Sequence, residues 1–245
     1  MIAIGTRAHG ETKRRQLPKM TEHFYKSEWL EAGDDPALSP TAFLVEQPPD
    51  CTLVAHFHRQ NQFQVFVEGN GTIGNHALDC VLVHYAGAYT GYGPLISGPQ
   101  GIKYFTIRSV CESGFIPITQ AREKMVRGPK RHLTVGPVNV SSPPQDARPG
   151  QTLALHPFES DGLGVGYLQL VSSGQLHIDR HLASDGVFVF VLQGQLQLPE
   201  HNLAPWEMFF ISRDEPVPEC KAGEQGAQIL TLHCPPKESA YKEVI

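Results

Sequence analysis

Two histidines and a glutamine have the side-chain types and the spacing that suit metal chemistry. His56 and His58 are two residues apart, and Gln62 follows four residues later. Residues i and i+2 of a strand point to the same face, so the two imidazoles can lie side by side. Gln62 would open the next antiparallel strand and present its carbonyl oxygen to the same point. Two imidazoles and one oxygen, with positions left open, predict a mononuclear site for Fe, Ni, Zn, Mn or Cu.

Further polar residues are expected around this point. Gln64 shares a strand face with Gln62 and is predicted to line the pocket, with a buried, hydrogen-bonded amide as the alternative. Tyr92 is predicted to line the pocket, with a role as a ligand left open. His84 lies in an apolar run and is either a pocket or core histidine or a third imidazole ligand. Arg108 is expected in a surface ion pair, with contact to an anionic substrate as the alternative.

The elements that would position these residues are short strands. The sequence has 23 glycines and 20 prolines, which favour strands joined by tight turns. Helices are predicted only around Lys26–Glu31 and over Thr119–Val126. The predicted strands are Ala42–Gln47, Cys51–Phe57, Gln62–Glu68, Val81–Tyr85, Ile102–Arg108, Leu153–His156, Val165–Val171, Leu176–Leu182, Val187–Leu192, Glu207–Ile211 and Ala227–His233.

The sequence repeats itself at a constant offset of 125 residues, which predicts two copies of one fold. The pairs are His56 with His181, Gly69 with Gly194, His76 with His201, Leu78 with Leu203, Gly101 with Gly226 and Thr106 with Thr231. We therefore expect an N-terminal arm over residues 1–40, a first barrel over 41–118, a helix and proline-rich connector over 119–160, and a second barrel over 161–245.

The second copy lacks most of the candidate site. At the offset of 125, His58 becomes Ala183 and Gln62 becomes Val187. His177, Asp179 and His181 alternate along the predicted strand there. They are interpreted as a solvated face, with a metal site as the alternative. The second copy is expected to be a structural or dimerising partner whose site has decayed.

The first-copy motif resembles the cupin superfamily, whose pattern is G-x5-H-x-H-x3,4-E-x6-G. The residues here are His56-x-His58-x3-Gln62-x6-Gly69, with Asp50 in place of the first glycine and Gln62 in place of the glutamate. The second family motif maps loosely onto residues 89–94, and its histidine falls near Tyr92. The resemblance implies an all-β protein with two tandem jelly-roll barrels and few short helices, a bicupin with a degenerate second domain.

The same resemblance implies a range of functions. Cupin relatives include dioxygenases and isomerases, so a metal-dependent enzyme acting on a small oxygenated molecule, such as a carboxylate or ring diol, is one hypothesis. The alternative is a non-catalytic cupin that binds a small molecule at a decayed metal site. Under that alternative, loss of the family's glutamate and of its second-motif histidine would signal a pocket that binds a small molecule and does no chemistry.

Composition narrows the partners and the compartment. The net charge is −5 and no basic run is interleaved with aromatic residues, so nucleic acid is not an expected partner. No apolar stretch approaches the roughly 20 residues that span a bilayer, and the first 20 residues lack a signal-peptide core. The five cysteines form no C-x-x-C pair, which is typical of reduced thiols. We expect a soluble cytoplasmic protein, and a homodimer formed through edge strands is plausible.

Overall fold

The computed structural model describes residues 1–18, 23–78, 81–112, 114–142 and 144–242, which divide into two compact units. The N-terminal unit comprises Gly10–Pro137 and Lys237–Ile245. The C-terminal unit comprises Met1–His9 and Val138–Pro236. The domain boundaries expected from the sequence at residues 40, 118 and 160 stay a prediction.

Strands dominate both units, and the predicted all-β class with few short helices is confirmed. The helices are α1 (Arg7–Thr12) and α2 (Ile118–Ala121), with 3-10 turns at Arg122–Lys124 and Ser239–Tyr241. The strands are β1 (Ile2–Gly5), β2 (Arg15–Gln16), β3 (Tyr25–Glu31), β4 (Thr41–Gln47), β5 (Thr52–Leu53), β6 (His56–Phe57), β7 (Gln62–Ile73), β8 (His76–Leu78), β9 (Val81–Ala86), β10 (Leu95–Arg108), β11 (Ile116–Pro117), β12 (His132–Val138), β13 (Thr152–His156), β14 (Gly164–Leu170), β15 (Gly186–Gln197), β16 (Asn202–Leu203), β17 (Met208–Ser212) and β18 (Lys221–Cys234).

Each unit is built around one large sheet. In the N-terminal unit the strand order is β12-β9-β7-β10-β4-β3-β2, with β5 beside β10 and β8 beside β7, and β6 pairs with β11 separately. In the C-terminal unit the order is β1-β17-β15-β18-β14-β13, with β16 beside β15. The first strand of the chain therefore completes the sheet of the C-terminal unit.

The repeat seen in the sequence is present in the strand register. Thr106 of β10 lies opposite Gln64 of β7, and Thr231 of β18 lies opposite Val189 of β15. Both members of the second pair are 125 residues after those of the first. The pairs β7–β9 and β15–β17 follow the same offset. The two units thus share one arrangement of central strands.

Apolar residues on the inward faces of these sheets form separate cores. The core of the C-terminal unit includes Val187, Val189, Phe209, Ile211 and Ile229, all at most 1% exposed. The core of the N-terminal unit gathers at the other end of its strands, on residues such as Phe66, Ile73, Leu95 and Tyr104. Near the start of β7, glutamines replace the valines, and a polar cluster takes the place of the core.

Several predicted elements are wrong in type or extent. Residues Lys26–Glu31 belong to strand β3 instead of a helix, because pairing with β4 buries Trp29 and Leu30. The helix predicted over Thr119–Val126 is shortened to α2 and the 3-10 turn that follows it. The proline-rich connector contains strand β12, and the strand predicted over Leu176–Leu182 does not form.

Two further sequence-based expectations can be compared with the described residues. No helix in the described ranges is long and apolar enough to cross a bilayer. Cys51, Cys111, Cys220 and Cys234 are free thiols, as expected. Cys80 lies outside the described residues.

Gly69→Ala tests the close strand approach that both units share. Gly69 has φ +90°, and a Cβ there would lie 2.0 Å from the Gly101 carbonyl oxygen. We expect a loss of at least about 2 kcal/mol in the free energy of unfolding, measured by urea denaturation. Gly33→Ala is the matched control, because Gly33 has φ +86° with nothing within 4 Å and should lose only about 1 kcal/mol. Equal losses in the two variants would contradict the steric argument.

Candidate functional site

The six predicted site residues gather in the N-terminal unit and all are buried. His56 lies in β6, Gln62 and Gln64 open β7, and His84 lies in β9, where it pairs with Gln64. Tyr92 comes from the loop before β10 and forms a two-bond backbone bridge with His56. The rings of His56 and His58, the sixth member, have centroids 5.2 Å apart and meet edge to face.

The Tyr92 hydroxyl stands between two of the three predicted metal ligands. Its oxygen lies 2.8 Å from Nε2 of His56 and accepts a hydrogen bond from Nε2 of Gln62 at 2.6 Å. Nδ1 of His56 lies 2.8 Å from the Val54 carbonyl oxygen. Burial raises the pKa of Tyr92, so the side chain is a neutral phenol at neutral pH.

The guanidinium of Arg108 contacts the other two groups. Arg108 is only 1% exposed. It donates from Nε and Nη2 to Oε1 of Gln62 at 3.2 and 2.8 Å, and from Nη2 to Nδ1 of His58 at 3.0 Å. Its Nη1 donates to the Glu112 carbonyl oxygen at 2.7 Å. Four hydrogen bonds therefore fix a buried cation against His58 and Gln62.

A nearby carboxylate partly balances this charge. Burial lowers the pKa of Arg108, and the negative charge of Glu112 opposes that shift. The Glu112 carboxylate accepts backbone hydrogen bonds from Arg59 and Gln60, and one of its oxygens lies 4.0 Å from Nδ1 of His58. Arginine keeps its proton in proteins, so the cluster carries a positive charge at its centre.

The hydrogen bonds assign the histidine tautomers. The Val54 carbonyl can only accept, so Nδ1 of His56 carries its proton and Nε2 accepts from Tyr92. Arg108 can only donate, so Nδ1 of His58 is an acceptor. Burial lowers the pKa of His56 to about 4 and holds that of His58 well below its ordinary value. Both imidazoles are therefore neutral near pH 7, and every bond in the cluster pairs a donor with an acceptor.

Two buried atoms beside this cluster lack a partner. Oε1 of Gln64 and Nε2 of His84 have no hydrogen bond within the described part of the chain. Nδ1 of His84 lies 2.9 Å from the Thr134 hydroxyl, and burial lowers the pKa of His84 to about 3. The His84 ring is 5.2 Å from that of Tyr92, so the two unpartnered atoms belong to the same polar region.

This arrangement does not fit a divalent metal ion. The lone pairs on His56, His58 and Gln62 that would bind the metal already accept hydrogen bonds from Tyr92 and Arg108, apart from the second lone pair of the amide oxygen. A unit charge and a dication about 4 Å apart repel by roughly 8 kcal/mol at an effective dielectric of 20. None of the three donors is a carboxylate that could offset this, and the described residues contain no group of three or more His, Cys, Asp or Glu arranged for a metal. Metal binding at these residues stays a prediction.

Arg108 is the functional residue whose role the sequence analysis missed. The expected surface ion pair is wrong, because the side chain points inward and is buried. The signal was the alternation along β10, where Thr106 and Arg108 share one face and the apolar Phe105 and Ile107 share the other. Thr106 lies opposite Gln64, so one step of two residues brings Arg108 to Gln62.

The motif position of Asp50 retains the backbone that the family glycine would need. Asp50 has φ +51°, in the left-handed region that glycine favours. In the C-terminal unit, Val187 replaces Gln62 in the apolar core, and His177 and Asp179 are exposed. His181, the third residue of the predicted solvated face, is half-buried with its ring 5.4 Å from that of Phe158, so that interpretation holds for His177 and Asp179 only.

Comparisons with known proteins show the fold. No family model and no curated protein match the sequence. The bacterial pirin YhhW of Escherichia coli in complex with nickel(II) has a TM-score of 0.56 and 10% identity over 96% of this chain and 100% of its own. Lactobacillus farciminis oxalate decarboxylase in a formate complex has a TM-score of 0.57 and 12% identity over 92% and 87%, respectively. AerE of Microcystis aeruginosa has a TM-score of 0.56 and 11% identity over 94% and 98%. The chain therefore shares the overall fold of these proteins.

Stability is expected to fall as the pH is lowered from 6.5 toward 4. The folded-state pKa values of His56, His84 and His233 are about 4, 3 and 4, below the ordinary 6.5, so the unfolded chain binds more protons in this window. Each histidine contributes up to about 2 kcal/mol of loss between pH 6.5 and 5. Urea unfolding at pH 6.5 and at pH 5 measures this loss of unfolding free energy. His84→Gln should show a shallower pH dependence, and equal stability at the two pH values would contradict the assigned neutral imidazoles.

Proposed function

We propose that this chain is a non-catalytic cupin that binds a small oxygenated organic molecule without a metal ion. The observation that carries the proposal is the buried guanidinium of Arg108, which contacts Nδ1 of His58 and Oε1 of Gln62. The positively charged guanidinium therefore lies against the two atoms that a metal ion would coordinate. The site retains polar side chains that could bind a ligand. Hydrogen bonds from Arg108 and Tyr92 take the place of bonds to a metal ion.

The two unpartnered atoms indicate what the ligand offers. Oε1 of Gln64 can only accept a hydrogen bond, and the neutral ring of His84 has one nitrogen left to donate or accept. A buried polar atom without a partner costs about 1–3 kcal/mol, which a ligand regains when it supplies the missing bond. A hydroxyl group does so for both atoms. The ligand class is therefore a hydroxylated molecule such as a hydroxy acid or a ring diol.

The competing proposal is a metal-dependent dioxygenase or isomerase. It is favoured by the burial and proximity of His56 and His58, which are the first two ligands of the family motif, and by the nickel(II) complex of the similar E. coli protein. Fe, Ni, Zn, Mn or Cu would then be held by these two histidines and Gln62. Binding would require Arg108 and the Tyr92 hydroxyl to leave the three donors, and bound metal would supply Lewis-acid or redox chemistry.

We further propose that the C-terminal unit is a degenerate second cupin domain. Its support is the shared strand register, in which Val187 opposite Ile211 stands at the position of Gln62 opposite Ala86. At the same sequence offset Ala183 stands at the position of His58. Without these donors the unit would serve as a structural partner or as the interface of a homodimer.

Arg108→Ala tests whether the guanidinium excludes metal. Purified wild-type protein should contain well under one equivalent of any transition metal by elemental analysis, and Ni²⁺ should leave its melting temperature unchanged. Without Arg108, the apo variant leaves acceptors on His58 and Gln62 unpaired, so we expect a loss of at least about 3 kcal/mol in unfolding free energy. Ni²⁺ at 100 times its dissociation constant should then restore about 2.7 kcal/mol.

The matched control is Lys103→Ala, which removes a half-buried cation of the same strand that pairs with Glu68, and which should cost at most about 1 kcal/mol and leave the nickel response unchanged. One tightly held metal ion per wild-type chain, lost in a His56→Ala/His58→Ala double variant, would refute the metal-free proposal and support the competing one.

Gln64→Met tests the ligand-binding atoms. Because the substitution removes an unpartnered buried oxygen with little change in volume, we expect the ligand-free protein to gain about 1 kcal/mol in unfolding free energy. The probes are lactate, glycolate and catechol at millimolar concentration, with binding measured by ligand-observed NMR. At least one should bind the wild type and bind the variant at least tenfold more weakly.

Gln100→Leu is the control, since it removes an exposed amide of the same unit. A Gln64→Met protein that is less stable and binds the probes as the wild type does would contradict the assignment.

A further inference from the structure

A cavity of about 220 Å³ opens within the C-terminal unit, on the inward face of β13, β14 and β18. It lies in the copy whose metal motif is lost, and Ala183 and Val187 are not among its lining residues. Drug-sized ligands occupy sites of roughly 300–1,000 Å³, so this cavity suits a smaller molecule, with the volume of about seven waters.

Glycines in β14 let neighbouring side chains of the cavity wall lie directly against the strand: a Cβ at Gly166 would lie 2.5 Å from Oγ1 of Thr231. The position of Phe43 opposite Thr106 in the N-terminal unit is taken by Gly166 opposite Thr231 in the C-terminal unit. Phe43 lies 5.5 Å from the Arg108 guanidinium, whereas Gly166 places no side chain between β14 and the side chains of Thr231 and Thr152. Gly164 lies two residues earlier on the same face. A Cβ at this position would lie only 2.7 Å from the ring of Phe158, so glycine allows the ring to lie there.

Two buried polar groups line the wall of the cavity, and one of them has no hydrogen-bond partner in the described residues. Thr231 is 2% exposed, and its hydroxyl has no hydrogen-bond partner there. His233 is 4% exposed, and its ring meets that of Phe158 edge to face with 4.7 Å between centroids. A hydroxyl can donate and accept, and a neutral imidazole does one of each, so together they match a ligand hydroxyl.

Charges around the cavity disfavour ionic ligands. Asp179 is exposed where the cavity meets solvent, and His156 hydrogen-bonds to the carboxylate of Glu159 at 2.8 Å. No lysine or arginine of the described ranges lines the cavity, so an anion would have no direct cationic contact there and would face the carboxylate of Asp179. Burial lowers the pKa of His233, and the nearby charge of Arg180 lowers it further, so a cation inside the cavity is also opposed.

We infer that this cavity is a second binding site, for a small uncharged molecule that carries several hydroxyl groups. The Thr231 hydroxyl and the His233 ring bind ligand hydroxyls inside the cavity. Asp179 accepts hydrogen bonds from hydroxyls at the mouth, and the face of Phe158 packs against carbon-bound hydrogens. The site is independent of the Gln64 and His84 region of the other unit.

The test uses the full-length chain with glycerol, erythritol and myo-inositol as probes, followed by NMR chemical-shift titration. At least one of these should bind with a millimolar or tighter dissociation constant and shift the Thr231 methyl signal. Thr231→Val keeps the shape and removes the unpartnered hydroxyl, so it should fold with equal or greater stability and bind at least tenfold more weakly. Asp179→Asn, at an exposed position, should bind about threefold more weakly, whereas the exposed Asp214→Asn should bind as the wild type does.

Several outcomes would overturn the inference. These are no binding of any probe at 50 mM, unchanged affinity in Thr231→Val, or preferential binding of acetate or ethylammonium at this cavity. Gln64→Met separates this site from the proposed function, because it should leave polyol binding unchanged. Polyol binding that is lost in Gln64→Met would assign the probe to the N-terminal unit and contradict the inference.

Discussion

The buried guanidinium of Arg108 is the interaction on which the polar centre of the N-terminal unit depends. A cation at 1% exposure is stable only if its donors are met, and here Gln62, His58 and the Glu112 backbone meet four of them. The same bonds fix the amide orientation of Gln62 and the tautomer of His58. Through Gln62 they also set the Tyr92 hydroxyl against His56. The buried charge of Arg108 thereby fixes, directly or through Gln62 and Tyr92, the three side chains that the sequence predicts as metal ligands.

The two units show how one strand framework supports different interiors. Their central strands pair in the same register, but the inward positions differ: Gln62 and Gln64 correspond to Val187 and Val189. The first unit therefore places a hydrogen-bonded polar network where the second packs an apolar core. The second unit in turn contains a cavity beside β14, lined by Thr231 and His233. Each unit thus offers polar atoms without partners at a different place.

The sequence predicted the fold well because its signals were local. Alternating apolar residues and bounding glycines follow from strand geometry, and they located most strands. The 125-residue repeat is visible in the sequence itself, and the strand register of the two units has the same offset. The role of Arg108 could not be read in the same way, since an arginine at a strand end is usually solvated, and its burial depends on Gln62 and His58 some 50 residues earlier. Strand β3 was missed for a related reason: its residues form helices readily, and pairing with β4 overrides that preference.

The most direct test of this account is side-chain ¹⁵N NMR of the histidines at pH 7, with and without Ni²⁺. The account predicts neutral rings, with His56 protonated on Nδ1 and His58 accepting a hydrogen bond on Nδ1, and spectra that added nickel leaves unchanged. A protonated ring, the opposite tautomer at either histidine, or loss of both signals on stoichiometric nickel binding would contradict it.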